Sequence, residues 1–245
     1  MKTVLITGCS SGYGRASVDH FHARGWRVVA TMRRPRSDLF PTAVHVLPLD
    51  VTDATSIDRA LDAAGPIDVL VNNAGLGLFG AFEATPVATV REIFETNTFG
   101  TMAMCRAIVP RFRTRGSGVI VNVTSSATLA PFPLVAAYTA SKAAIEGFTG
   151  SLALELAEFG VHAKLVEPGY CPDTRFAENG AARMQGLITE ANAPFADKAF
   201  AGLAQVTATT RPDDVAEAVF AAANDASARL RFAAGADAQA LAGER

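Results

Sequence analysis

Tyr138 and Lys142 stand four residues apart in Tyr138-Thr139-Ala140-Ser141-Lys142, and Ser125 lies thirteen residues before the tyrosine. Side chains at i and i+4 share one helix face. The lysine ammonium can therefore favour the Tyr138 phenolate and draw its pKa down from the ordinary value of about 10. A tyrosine tuned this way passes a proton to or from a substrate oxygen near neutral pH. The same spacing arises by chance on many helices, so its weight depends on the elements that hold it.

Those elements alternate. Short β-branched runs at residues 3–7, 27–31, 43–49, 67–71, 119–123, 162–166 and 230–233 are separated by segments of helical periodicity at 12–24, 56–64, 89–113, 138–159 and 212–224, the third broken near Asn97. The runs are apolar almost throughout, as in strands buried on both faces of a parallel sheet. The predicted fold is α/β: one domain over residues 1–245, a doubly wound parallel sheet of about seven strands with helices on both faces. Residues 175–205, rich in Ala, Gly and Phe, interrupt the rhythm. Leaving the carboxyl end of a strand, where ligands of such sheets collect, the segment reads either as a substrate lid or as a permanently packed helical pair.

The first strand runs directly into Thr7-Gly8-Cys9-Ser10-Ser11-Gly12-Tyr13-Gly14 and then a helical pattern. Glycines permit a tight turn there and let the backbone approach a pyrophosphate at the positive end of the helix. At the end of the second strand, Ala30-Thr31-Met32-Arg33-Arg34 offers no carboxylate for a ribose 2′-hydroxyl. Arg33, with Arg34, can pair with a 2′-phosphate through a guanidinium fork, which favours NADP(H) over NAD(H).

The chain has 245 residues, 49% hydrophobic and 19% charged, with a net charge of −2. That composition suits an ordinary globular protein and lacks the basic footprint of a nucleic-acid binder. Cys9, Cys105 and Cys171 are odd in number and scattered, and His20, His22, His45 and His162 show no paired ligand spacing, so no metal site is expected. The strand-like run at the very start leaves no room for a signal peptide, and no stretch approaches about 18 apolar residues. A cytoplasmic protein with no membrane partner is expected.

In order, the chain shows TGxxxGxG, Asn72-Asn73-Ala74-Gly75 after a strand, Ser125, YxxxK, and Pro168-Gly169 after another strand. This set resembles the short-chain dehydrogenase/reductase family over nearly the whole sequence. The resemblance implies a Rossmann fold, a nicotinamide dinucleotide, and a homodimer or homotetramer. By position, Gly8, Ser10, Ser11, Gly12, Tyr13 and Gly14 would form the pyrophosphate turn, Asp50 and Val51 would touch adenine, and Asn73, Ala74 and Gly75 would lie beside the adenosine ribose. Asn72 and Asn73 read equally as strand-end caps.

The same resemblance makes Tyr138 the proton donor to a carbonyl oxygen, and Lys142 the group that tunes it and holds the nicotinamide ribose. Ser125 would bind the reacting oxygen, and Asn97 would hold a water that relays protons to Lys142. Pro168 and Gly169 would pass the nicotinamide, with Thr174 one residue later than the commonest spacing. Ala127, Phe132, Leu134, Tyr170 and Cys171 are expected to line an apolar substrate pocket. The expected activity is NADPH-dependent reduction of hydrophobic ketones or aldehydes, reversibly. Two rivals share the glycine turn. A noncatalytic nucleotide sensor has no need of Ser125, Tyr138 and Lys142, and a methyltransferase has no use for the tyrosine–lysine pair.

Overall fold

The apolar runs become seven parallel strands: β1 (Thr3–Ile6), β2 (Arg27–Met32), β3 (His45–Pro48), β4 (Val69–Asn72), β5 (Gly118–Val123), β6 (Val161–Pro168) and β7 (Arg231–Ala234). They form one sheet in the order β3-β2-β1-β4-β5-β6-β7. The computed structural model describes residues 1–172, 174 and 176–244, and of residues 176, 177 and 179 the backbone alone.

Successive side chains of a strand point to opposite faces, and the sequence fills both. Val4 and Ile6 pack on one side with Val28, Ala30, Val69 and Val71, against Phe21 of α1 (Gly12–Ala23) and Val215 and Val219 of α8 (Pro212–Asn224). Leu5, Val29, Leu70 and Ile120 pack on the other, against α2 (Ala54–Ala64), α4 (Thr101–Arg115) and α5 (Ala136–Ala157). Around these, α3 (Val87–Phe94) precedes α4, α6 (Phe176–Met184) and α7 (Ala193–Ala204) follow β6, and α9 (Ala236–Gly243) follows β7. The result is the single-domain, doubly wound α/β fold expected from the sequence. Strand order reverses between β1 and β4, and a crevice opens there at the carboxyl ends.

Several boundaries differ from the sequence reading. The third strand is His45–Pro48, not 43–49, because Val44 N–H bonds back to the Pro41 carbonyl in a turn. The helix read over 89–113 starts at Val87 and continues to Arg115, with Glu95–Gly100 wound as a π-helix at the break expected near Asn97. Residues 175–205, read either as a lid or as a helical pair, hold two helices, α6 and α7, with residues 173 and 175 outside the described ones. The sequence reading missed α9. Among the described residues no helix is long and apolar enough to cross a membrane.

Candidate active site

The glycine turn between β1 and α1 is locked from below. Thr7 Oγ1 accepts from the backbone N–H groups of Asn73 and Ala74 at 3.0 and 2.9 Å, and Asn73 Nδ2 donates to the carbonyls of Thr7 and Gly8 at 2.9 and 3.2 Å. Asn73 therefore serves as a cap of this turn. A Cβ at Gly14 would stand 2.4 Å from the Gly8 carbonyl oxygen, so Gly14 is required by packing. Gly12 has φ +55 and faces open space, its nearest neighbour being Thr174 Cγ2 at 3.7 Å from an added Cβ.

A cleft of about 620 Å³ lies above this turn, lined by Gly8, Ser10, Ser11, Gly12 and Tyr13, by Arg33, Asp50 and Val51, and by Asn73, Ala74 and Gly75. Ser11 at the N-cap of α1 makes no side-chain cap, and the first turn carries no acidic residue. The first N–H groups of the helix are thus open to an anion, and a pyrophosphate fits them. Burial raises the Asp50 carboxyl, but the Thr52 donors and the charge of Arg33 outweigh it and hold it below the usual range. Arg34 is exposed and, unlike Arg33, does not line the cleft.

Tyr138, Thr124 and Thr174 line this cleft and also a second cavity of about 650 Å³. Ser125 lines the second, together with Ala127, Phe132, Leu134, Tyr170 and Cys171. Pro168 and Gly169, expected beside the cofactor, sit on the wall of this second cavity, where Tyr13 Oη donates to the Gly169 carbonyl at 3.4 Å. Leu134 adopts φ 63, a left-handed conformation costly for a branched residue, and its carbonyl accepts from Gly80 N–H at 2.8 Å. The lining also includes Phe79, Met184, Phe200 and Leu203, which the sequence reading did not name. For Met184, Phe200 and Leu203 the only sequence signal was the apolar content of residues 175–205, and Phe79 lies outside that segment. Arg183 on α6 forms a two-pronged pair with Glu92 on α3, both bonds 3.0 Å, at the rim of the first cleft.

Of the four residues expected to act in proton transfer, Lys142 lines the first cleft, Ser125 the second cavity and Tyr138 both. Lys142 Nζ donates to the Val123 carbonyl at 3.0 Å, and Ser125 Oγ accepts from Ala127 N–H at 3.2 Å. Asn97, 1% exposed in the π-helix, accepts from Leu76 N–H at 2.7 Å and donates to the Leu76 carbonyl at 3.0 Å and to Ser141 Oγ at 3.1 Å. An added Cβ on Gly75 would lie 3.2 Å from Asn97 Oδ1 and 3.4 Å from Lys142 Nζ, so both groups border the same small space.

One electrostatic expectation is corrected. Burial pushes the Tyr138 phenol up to about 12, against a hydrogen bond with Ser125 that favours the phenolate. Burial likewise pushes the Lys142 ammonium down to about 8. Removal from water disfavours charge on both groups and outweighs the attraction the i, i+4 spacing suggested. Cys9 and Cys105 are pushed up to about 12 by burial, which leaves them weak nucleophiles. Among the described residues no group of three or more His, Cys, Asp and Glu side chains could hold a metal ion.

A family model described as short chain dehydrogenase matches residues 2–185. This chain belongs to the short-chain dehydrogenase family. The dehydrogenase is 39% identical over 181 residues, 69% of its length, to the uncharacterized oxidoreductase YusZ of Bacillus subtilis, and spans 64% of that relative. It is 36% identical over 200 residues to a 3-ketodihydrosphingosine reductase of Bacteroides thetaiotaomicron, covering 80% of this chain and 72% of the relative. A short-chain dehydrogenase from Streptomyces avermitilis superposes with a TM-score of 0.82 at 35% identity, over 99% of this chain and 91% of that one. Another from Burkholderia cenocepacia, solved in complex with NADP, gives 0.78 at 27% identity over 99% and 93%. The family and such complexes support a nicotinamide dinucleotide as the ligand of the first cleft.

Proposed function

We propose that this oxidoreductase reduces hydrophobic ketones or aldehydes with NADPH, and oxidises the matching alcohols in reverse. The carrying observation is the junction at Tyr138, a proton donor that borders both the dinucleotide cleft and a cavity lined by no charged side chain among the described residues. An apolar pocket with few polar anchors suits an uncharged substrate. The 3-ketodihydrosphingosine reductase relative, named for a ketone, is in keeping with that class. Arg33, placed against Asp50 in the cleft with no carboxylate at the end of β2, favours the 2′-phosphate of NADPH over NADH.

When bound, the nicotinamide supplies the hydride. The chain supplies the rest. Ser125 donates to the substrate oxygen and steadies the charge that develops there. Tyr138, a neutral phenol at physiological pH and held further in that form by burial, gives its phenolic proton to that oxygen. Lys142 offsets the phenolate that remains and holds the ribose hydroxyls, and Asn97 keeps the adjoining turn of chain in place. Purified protein with NADPH and a panel of aryl, alkyl and alicyclic ketones tests the reading through loss of NADPH absorbance. NADPH binding with no turnover across the panel would instead fit a nucleotide sensor.

A further inference from the structure

The face of α5 that carries Tyr138 and Lys142 continues one turn further to Glu146, which is buried. Its Oε1 accepts from Thr124 Oγ1 at 3.2 Å and pairs with Thr128 Oγ1. These threonines bracket Ser125, and Thr128 Oγ1, 2.6 Å from the Ser125 carbonyl, shares its one proton between that carbonyl and Glu146. A second carboxylate, Glu167 at 1% exposure, leads directly into Pro168 and Gly169 on the cavity wall. Both meet one nitrogen: Arg231 Nη1 donates to Glu146 Oε2 at 2.9 Å and to Glu167 Oε1.

We propose that Arg231 is a positioning residue for the reaction, tying the loop that carries Ser125 to the Glu167-Pro168-Gly169 segment so that the two walls around Tyr138 keep one register. The inference rests on the reductase reading above, in which Ser125 touches the substrate oxygen. Two buried carboxylates side by side repel, and burial together with the charge of Glu146 raises the Glu167 carboxyl against the pull of Arg231. Arg231 itself is partly exposed, so it neutralises the two buried carboxylates without being removed from water. The ion cluster directs its hydrogen bonds to the serine loop. The same C-terminal stretch holds the other end of the segment, because Asp237 accepts from Tyr170 N–H and Thr210 Oγ1, both at 2.6 Å. Arg231 and Asp237 lie beyond the residues matched by the family model.

A mutant cycle on the full-length protein tests this, with turnover expressed per NADPH-binding site and NADPH affinity read by fluorescence titration. We expect Glu146→Gln and Glu167→Gln each to lower kcat by about tenfold with substrate KM changed less than about twofold, and the double variant to lose little more than either alone. Arg231→Met should match the double variant. Arg231→Lys should recover activity to within about threefold of wild type, since a single nitrogen serves both carboxylates. Losses that multiply in the double variant, or an unchanged kcat in Arg231→Met, overturn the proposal. Should Arg231→Met fail to fold, the glutamate cycle and Arg231→Lys decide alone. No turnover by the wild-type protein on any ketone removes the reductase reading and this role with it, whereas wild-type turnover with multiplying losses removes only the role of Arg231.

Discussion

Lys142 Nζ is hydrogen-bonded at 3.0 Å to the carbonyl of Val123, the last residue of β5 and two residues before Ser125. One bond thus ties the helix bearing Tyr138, the proposed proton donor, to the strand end that leads to Ser125, the hydroxyl proposed to bind the reacting oxygen. The ammonium is fixed from the sheet side, which leaves its remaining donors to face the cleft.

Replacing Tyr138 with Phe removes the transferable proton while keeping the ring in its buried place. We expect kcat to fall by about a hundredfold to ten-thousandfold, the range of general acid–base catalysis. The NADPH dissociation constant should stay within about twofold of wild type. Turnover near the wild-type rate would assign the proton to another group.

The lowered pKa of Lys142 predicts a stability profile. Below about 8 the ammonium is protonated in folded and unfolded chains, and its burial counts against the fold. Between about 8 and its ordinary 10.5 the unfolded chain holds the extra proton, so stability rises with pH. Tyr138 acts in the opposite sense: raised from 10 to about 12, its contribution is complete below 10 and is lost between those values. Denaturant unfolding from neutral pH to about pH 10 should show wild type gaining on the order of 3 kcal/mol relative to Lys142→Met. Parallel profiles would mean that Lys142 keeps its ordinary acidity.

Arg33→Ala should raise the Michaelis constant for NADPH by about ten- to a hundredfold, the worth of a charged hydrogen bond, and that for NADH by less than about twofold. Initial rates with both cofactors measure the ratio. Equal changes would take Arg33 out of cofactor selection.

Two glycines of one turn should separate fold from binding. A Cβ at Gly14 collides with the Gly8 carbonyl at 2.4 Å, so Gly14→Ala should destabilise by about 1–3 kcal/mol, read from thermal melts. At Gly12 the space is open and the penalty is the left-handed φ of +55, about 1 kcal/mol. Gly12→Ala should therefore weaken NADPH binding more than it lowers the melting temperature. The reverse order would place the ligand elsewhere.

The strands, the glycine turn and the catalytic spacing were legible because each is local. Runs of β-branched residues, a strand–glycine–helix sequence and an i, i+4 pair lie within a few residues of one another. Arg231 was not legible, since its partners stand 85 and 64 residues away and nothing near it marks the contact. Asp237 was hidden likewise, in a short helix of eight residues with no distinct apolar face. The acidity of Tyr138 was misread for a related reason. Sequence spacing reveals the neighbouring charge, while burial, the larger influence, is contributed by the whole fold.

The π-wound turn at Glu95–Gly100 holds one more residue than an α-helical path would need. Deleting a single residue there would let α3 and α4 run on as one regular helix, with better backbone geometry and a simpler chain. It would also swing everything on one side of the deletion by about 100° about the helix axis, the rotation per residue of a 3.6-residue turn. Asn97 would leave Leu76 and Ser141. At this point the chain forgoes a smoother helix so that one buried amide can hold the Leu76 backbone and Ser141, and a shortening mutation that looks harmless by length would break all three of those hydrogen bonds.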